Sequence, residues 1–302
     1  MPPASPIPSL QNKDPERTRT PYFSHPMNSS PPIVLTPAPP TLTSAAAGSA
    51  KPTRSGLIAL TLTLLIVVML LAGSLCQGLV ALIWITLCLT LVMIALGCCT
   101  AHRPGGILIN EKNLMSLSRF QMAVWTILVL GAYLAYVFAR IRSGEADPLN
   151  VQMDWHLWAL MGISTTSLIG SPLVLSTKSN KIPEAATVTK TAQLTGEDPK
   201  ALAANGRGLV YANPSPADAL LTDMFQGDEI GNTTHIDLAK VQMFLFTMIV
   251  GLAFFWSVLT SLATPHGNLT DLPQLSDGAV WLLGISHAGY LSSKGVDHTK
   301  TA

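Results

Sequence analysis

The chain has 302 residues, of which 48% are apolar and only 12% charged. So little charge on so much apolar side chain excludes an ordinary soluble globular domain and points to lipid as the solvent. A formal net charge of +1, with no long basic stripe and no zinc-finger spacing, excludes nucleic acid as a partner.

Residues 1–55 hold thirteen of the twenty-two prolines, set among Ser, Thr, Ala and Asn. Such a segment buries too little apolar surface to offset the entropy of ordering, which predicts a disordered cytoplasmic tail. Its Pro31-Pro32 and Pro39-Pro40 steps favour polyproline geometry, so a cytoplasmic protein partner is the alternative to a plain tether. The first apolar run begins beyond residue 55, too late for a secretory signal.

From Gly56 to Cys98 there is no Asp, Glu, Lys, Arg or His, and Gln77 is the one strongly polar side chain. That length accommodates two spans of roughly 20 residues. Because each backbone amide in lipid must be satisfied within its own segment, both are predicted to be helices. Residues 56–99 thus read as a transmembrane hairpin, with helices over 56–75 and 79–99 turning at Cys76-Gln77-Gly78. All four cysteines, Cys76, Cys88, Cys98 and Cys99, lie in or at the ends of these spans, where they act as small hydrophobes. Cys98-Cys99 lacks the histidine or second thiol pair that a zinc site uses, so neither a metal nor another cofactor is expected.

Residues 100–176 read as the first of two repeats. Arg103-Pro104-Gly105-Gly106 signals a turn, and Ser116 stands at the N-cap of a helix over 120–139 that ends at the snorkelling Arg140 and Arg142. A loop with Asp147 and Asp154 leads to Trp155-His156-Leu157-Trp158, an interfacial aromatic belt. The span over 157–176 follows, rich in small polar residues and carrying Pro172 near its end. Residues 177–235 read as a cytoplasmic loop too polar for a core, with a short amphipathic helix over 217–225 and a solvated acidic turn over 226–232 that lacks the alternating oxygen ligands of a calcium loop. The second repeat fills 236–296, with helices over 240–263 and 277–293 separated by Pro265, His266, Gly267 and Pro273, and a short tail, 297–302, follows. Its last helix sits at the lower edge of length for a full crossing.

The repeat is explicit in the residues. Aligning Ser116–Thr126 with Asp237–Thr247 pairs Leu117 with Leu238, Arg119 with Lys240, Gln121 with Gln242, Met122 with Met243 and Trp125 with Phe246, and Leu160–Ser164 meets Leu282–Ser286 one position out of register. The fold class is therefore an all-α integral membrane protein of about six transmembrane helices, the last four forming a tandem repeat. Sixteen of the eighteen Lys and Arg fall on the side of the N-terminus, which predicts that both termini are cytoplasmic.

Two sets of residues stand out in the repeat. Gly162, Thr166 and Gly170, and likewise Gly284, Ala288 and Ser292, recur every four residues and predict small faces for helix packing, within the chain or in a homo-oligomer. Gln121, Gln242, Ser164, Ser286 and His287 are polar groups expected at membrane depth, where they either bond a neighbouring helix or line a polar path. His287 follows Ser286 directly, and adjacent residues on a helix point apart, so a Ser-His hydrolase is not expected.

The run Gly284-Ile285-Ser286-His287-Ala288-Gly289-Tyr290-Leu291, with Asp237–Phe244 before it, resembles a group of uncharacterised bacterial multi-pass membrane proteins over residues 105–296. The resemblance implies a bacterial inner-membrane location and brings no activity or ligand with it. The sequence thus favours a non-enzymatic module that packs, oligomerises or anchors a partner in the lipid bilayer, with a channel or transporter near Gln121, Gln242 and His287 as the alternative.

Overall fold

The computed structural model describes residues 54–264 and 269–302, so the proline-rich tail up to Thr53 and the turn at Pro265, His266 and Gly267 lie outside the described residues. Among the described residues there are eight α-helices: α1 Arg54–Leu75, α2 Gly78–Ala101, α3 Leu117–Arg142, α4 Trp155–Ser176, α5 Ala185–Thr195, α6 Pro199–Asn205, α7 Leu238–Ala263 and α8 Asp277–Gly295. The six long ones lie where the apolar runs put them, each end within a turn of its expected place. Five of these, α1 to α4 and α7, are long and apolar enough to cross a membrane. The sixth, α8, is 19 residues long and carries Asp277 and Lys294 at its ends, and it falls outside that set.

The chain turns between α1 and α2 through Gly78, whose φ of +49° lies in the left-handed region that favours glycine. Most side chains of α1 face outward, Leu60, Leu64 and Leu71 among them, as expected of a helix that meets lipid on most sides. Helix α2 packs between α1 and α3 and also touches α7. Its end is held by a close approach of backbones: a Cβ on Gly97 would stand 2.8 Å from the carbonyl oxygen of Pro104 and 2.9 Å from the amide of Gly106.

Helices α3, α4, α7 and α8 form the central bundle, packed around Trp125, Val129, Leu157, Leu160, Phe254 and Leu283. Two ties show that α4 and α8 run in the same direction. His156 near the start of α4 lies 2.7 Å from Asp277, the first residue of α8, and Lys178 just beyond α4 donates to the carbonyl of Val296 just beyond α8.

Burial along α7 is one position out of step with the sequence alignment of this helix to α3. The buried stripe of α7 is Lys240, Met243, Thr247, Val250, Gly251, Phe254 and Val258. All of these but Val250 correspond in burial to Ser118, Gln121, Trp125, Val129, Ala132 and Tyr136 on α3, so Met243 rather than Gln242 takes the place of Gln121. Since one residue turns a helix by about 100°, Gln242 points outward and is exposed.

Residues 177–235 do have a core, contrary to the expectation from polarity. Val188 and Ala192 on α5, Leu202 on α6, and Tyr211, Ile230 and Leu114 form a buried cluster, because the few apolar residues of this segment converge on one another and on the loop before α3. The expected helix over 217–225 is instead two 3₁₀ turns, Pro216–Asp218 and Leu221–Met224. Arg103 Nη1 takes the carbonyls of Pro216, Ala217 and Ala219 at 3.1, 2.8 and 2.8 Å, so those oxygens are diverted from an α-helical ladder. The last residues join this cap as well: Glu184 N donates to the carbonyl of Lys300 at 2.8 Å and Ala302 N to that of Ile182 at 3.0 Å.

Candidate functional site

The polar residues of the bundle are stacked in layers that begin at the cap and end near mid-bundle. At the cap end, Asp228 accepts from Lys294 Nζ at 2.5 Å and lies 3.0 Å from Lys240 Nζ. Lys240 also donates to the carbonyl of Gln226 at 2.5 Å. Burial alone would push the Asp228 carboxyl up, but the charges of Lys240, Lys294 and Lys112 override it and hold the group far below the usual carboxylate range. The neighbouring Glu229, also buried, accepts from Lys178 Nζ at 2.5 Å and from the amides of His298 and Thr299 at 2.9 and 2.8 Å. The acidic turn read as solvated is therefore a buried junction. Its signal in the sequence is the spacing of Lys178, Lys240 and Lys294, each at the cap-side end of a long helix, opposite Asp228-Glu229, one of the two adjacent acidic pairs of the loop.

One turn deeper, Tyr290 Oη donates to Ser171 Oγ at 3.3 Å and lies at the same distance from Ser118 Oγ. The Tyr290 ring is also 4.6 Å from Lys294 Nζ, within cation–π range. Below it, one residue from each helix of the bundle meets the others. Gln121 Nε2 donates to Thr247 Oγ1 at 2.5 Å and stands 3.3 Å from His287 Nε2, and His287 Nδ1 is 2.5 Å from Ser167 Oγ. Thr247 spends its own proton on the carbonyl of Met243 at 2.8 Å, so its oxygen can only accept, which fixes the Gln121 amide with nitrogen toward it. The same amide donates to His287 Nε2, so the imidazole proton sits on Nδ1 and goes to Ser167. This assignment makes a neutral histidine the middle of a four-helix clasp. Beneath it the packing turns apolar at Trp125, Val129, Leu160, Val250, Phe254 and Leu283, and the column goes no further.

The sequence-derived residues divide between this column and the outside. Gln121 and His287 are in it, and their partners are Thr247, which the sequence alignment pairs with Thr126, and Ser167, which the alignment does not reach. Ser164 and Ser286 are buried beside it and, like Gln121 Oε1, have no hydrogen-bond partner among the described residues. The symmetric pairing of Gln121 with Gln242 does not form, for the rotation of α7 described above. The two small-residue ladders are not the seam of the bundle either: Gly162, Thr166, Ala288 and Ser292 are exposed on this chain. Only their edges touch a helix, Gly170 beside Leu291 and Gly284 beside Ile163. The seam between α4 and α8 runs instead along Leu160, Ser164, Ser167 and Ser171 against Leu283, Ser286, His287 and Tyr290, one position round each helix.

No family model, no curated protein and no solved structure matches this chain.

At the far end of the bundle, His156 is gripped between Asp154 and Asp277. The bond to His156 holds the Asp154 carboxyl below its ordinary value. Trp155 and Trp158 on either side are exposed, in keeping with an aromatic belt. Among the described residues no group of three or more His, Cys, Asp or Glu side chains could hold a metal ion.

Proposed function

We propose that this is a non-enzymatic multi-pass membrane protein that holds a folded cap at one face of the bilayer as an anchoring surface for a protein partner. In this reading α8 is a sixth span, α3–α4 and α7–α8 are tandem copies, and the lysine-rich cap faces the cytoplasm of a bacterial cell from the inner membrane. The observation that carries the reading is the pair of buried junctions, Asp228 with Lys240 and Lys294, and Glu229 with Lys178. Burying charges costs several kcal/mol per ion before pairing returns it, and such pairs are best used to fix one arrangement. Here they fix the loop on the helix ends.

The cap surface has the character that anchoring requires. Leu194 and Leu220 are exposed and line one cleft with Tyr211 and Pro214. A photocrosslinker placed at Leu194 should give one discrete adduct in cells, lost on Leu220→Asp, whereas the same label at Ile141, exposed at the opposite end, should not. Adducts indistinguishable between the two positions would sink the anchoring reading.

The channel or transporter alternative draws on the polar layer around His287. Against it, that layer closes on itself through four helices and rests on an apolar floor. Liposomes bearing the protein should accordingly show no solute flux above empty vesicles; flux abolished by Gln121→Ala would put the alternative first. The outward ladders of Gly162, Thr166, Ala288 and Ser292 suit a contact between copies, which cysteine crosslinking from Ala288→Cys tests directly.

A further inference from the structure

A cleft of about 460 Å³ opens beside the lysine cluster, between the start of α3, the loop before it, and the cap-side ends of α4, α7 and α8. One part of its wall carries four cations, Lys112, Arg119, Lys240 and Lys294, against two carboxylates, Glu111 and Asp228. Arg119 is matched by Glu111 at 2.9 Å, and Lys240 and Lys294 share Asp228. Lys112 remains half-buried with no ion pair among the described residues. The first turn of α3, Ser116 to Arg119, lines the same wall, and the Ser116 hydroxyl caps none of its amides, so the positive end of the helix adds to the excess. The other part of the wall is apolar and comes from membrane-spanning helices: Met93 of α2, Met122 and Ala123 of α3, Leu168 and Pro172 of α4.

We infer that this cleft binds one anionic phospholipid, its phosphate on Lys112 and the uncapped start of α3 and the upper part of an acyl chain along Met93, Met122 and Leu168. A half-buried excess of positive charge calls for an anion, and a soluble phosphate would leave the apolar wall unused. Only a ligand with both parts satisfies both walls. Burial pushes Lys112 down to about 8, with Asp228 and Glu111 opposing the shift and Lys294 and Lys240 reinforcing it. A bound phosphate would raise that value. The lipid-free protein releases the Lys112 proton above about pH 8 and the bound form keeps it, so affinity should weaken as pH rises beyond that point.

The full chain, in nanodiscs of phosphatidylglycerol and phosphatidylcholine in equal parts, tests this by the lipid that stays bound on extraction, counted by native mass spectrometry. Wild type should retain phosphatidylglycerol in preference. Lys112→Gln should cut that preference about fivefold and remove its pH dependence, while Lys112→Arg and the distant Lys181→Gln keep it. Ala123→Phe, which fills the apolar wall and leaves every charge in place, should also abolish it with the melting temperature unchanged. Equal retention of the two lipids by wild type, or a preference that survives both Lys112→Gln and Ala123→Phe, would overturn the inference. Inorganic phosphate binding to the lipid-free protein without competition from phosphatidylglycerol would assign the site to a soluble anion and overturn it equally.

Discussion

Gln121 and Gln242 are paired when the sequences of α3 and α7 are aligned, yet they occupy opposite places in the molecule. The first is fully buried and bonds Thr247 and His287; the second is exposed on the outer face of α7. Replacing Gln121 by Met keeps the volume but strips the partners of Thr247 and His287. Side-chain hydrogen bonds between membrane helices contribute about 0.6–2 kcal/mol, so Gln121→Met should destabilise by roughly that amount. Gln242→Met should fall within about 0.5 kcal/mol of wild type, as exposed substitutions do. Unfolding in mixed detergent micelles measures both, and equal losses would mean that α3 and α7 bury the two aligned glutamines alike after all. His287→Gln bears on the same layer: an amide can accept from Gln121 and donate to Ser167, so it should retain more stability than His287→Leu.

At the scale of the helix, the sequence made the spans legible and left their rotation hidden. Runs such as Gly56–Cys98 leave a chain in lipid no alternative to helix, so residue type alone predicted α1 and α2. Which face each helix turns inward depends on its neighbours, and a spacing of four does not separate a seam from a stripe one position round. The ladder of Gly162, Thr166 and Gly170 has the spacing of a packing face, yet the seam lies on Leu160, Ser164, Ser167 and Ser171. The cap was illegible for a related reason. Its core gathers Leu114, Val188, Leu202 and Ile230 from four separate stretches, none periodic enough to announce a buried face. Glycines test the rotation. A Cβ at Gly284 would meet only Ile163 Cδ1, at 3.7 Å, so Gly284→Ala should be neutral or stabilising by up to about 1 kcal/mol through its effect on the unfolded chain. A Cβ at Gly97 would stand under 3.0 Å from backbone atoms of the Pro104–Ile107 turn, so Gly97→Ala should destabilise by about 1–3 kcal/mol. Thermal denaturation in one detergent ranks the pair, and the reverse order would refute the assigned faces.

Across the whole molecule, Asp228 and Glu229 are where the cap, three long helices and the last residues of the chain are joined. Asp228→Asn would leave Lys240 and Lys294 buried against a neutral amide, a loss of about 3–5 kcal/mol by analogy with other broken buried pairs. The pH dependence follows from the same carboxylate. Its folded value is depressed far below the roughly 3.9 of an unfolded aspartate, so its contribution is complete above that value and is lost as pH falls below it toward the folded one. Asp297, held low by its bond to Lys181, acts in the same direction and more weakly, being partly exposed. The part of the melting temperature that Asp228 supplies should therefore be nearly flat from about pH 7 to pH 5 and fall steeply below about pH 4. In Asp228→Asn the curve should start lower and lose most of that acid fall, because the group that titrates is gone. An acid fall as steep in the variant as in wild type would show that other carboxylates, and not this junction, hold the cap to the membrane helices.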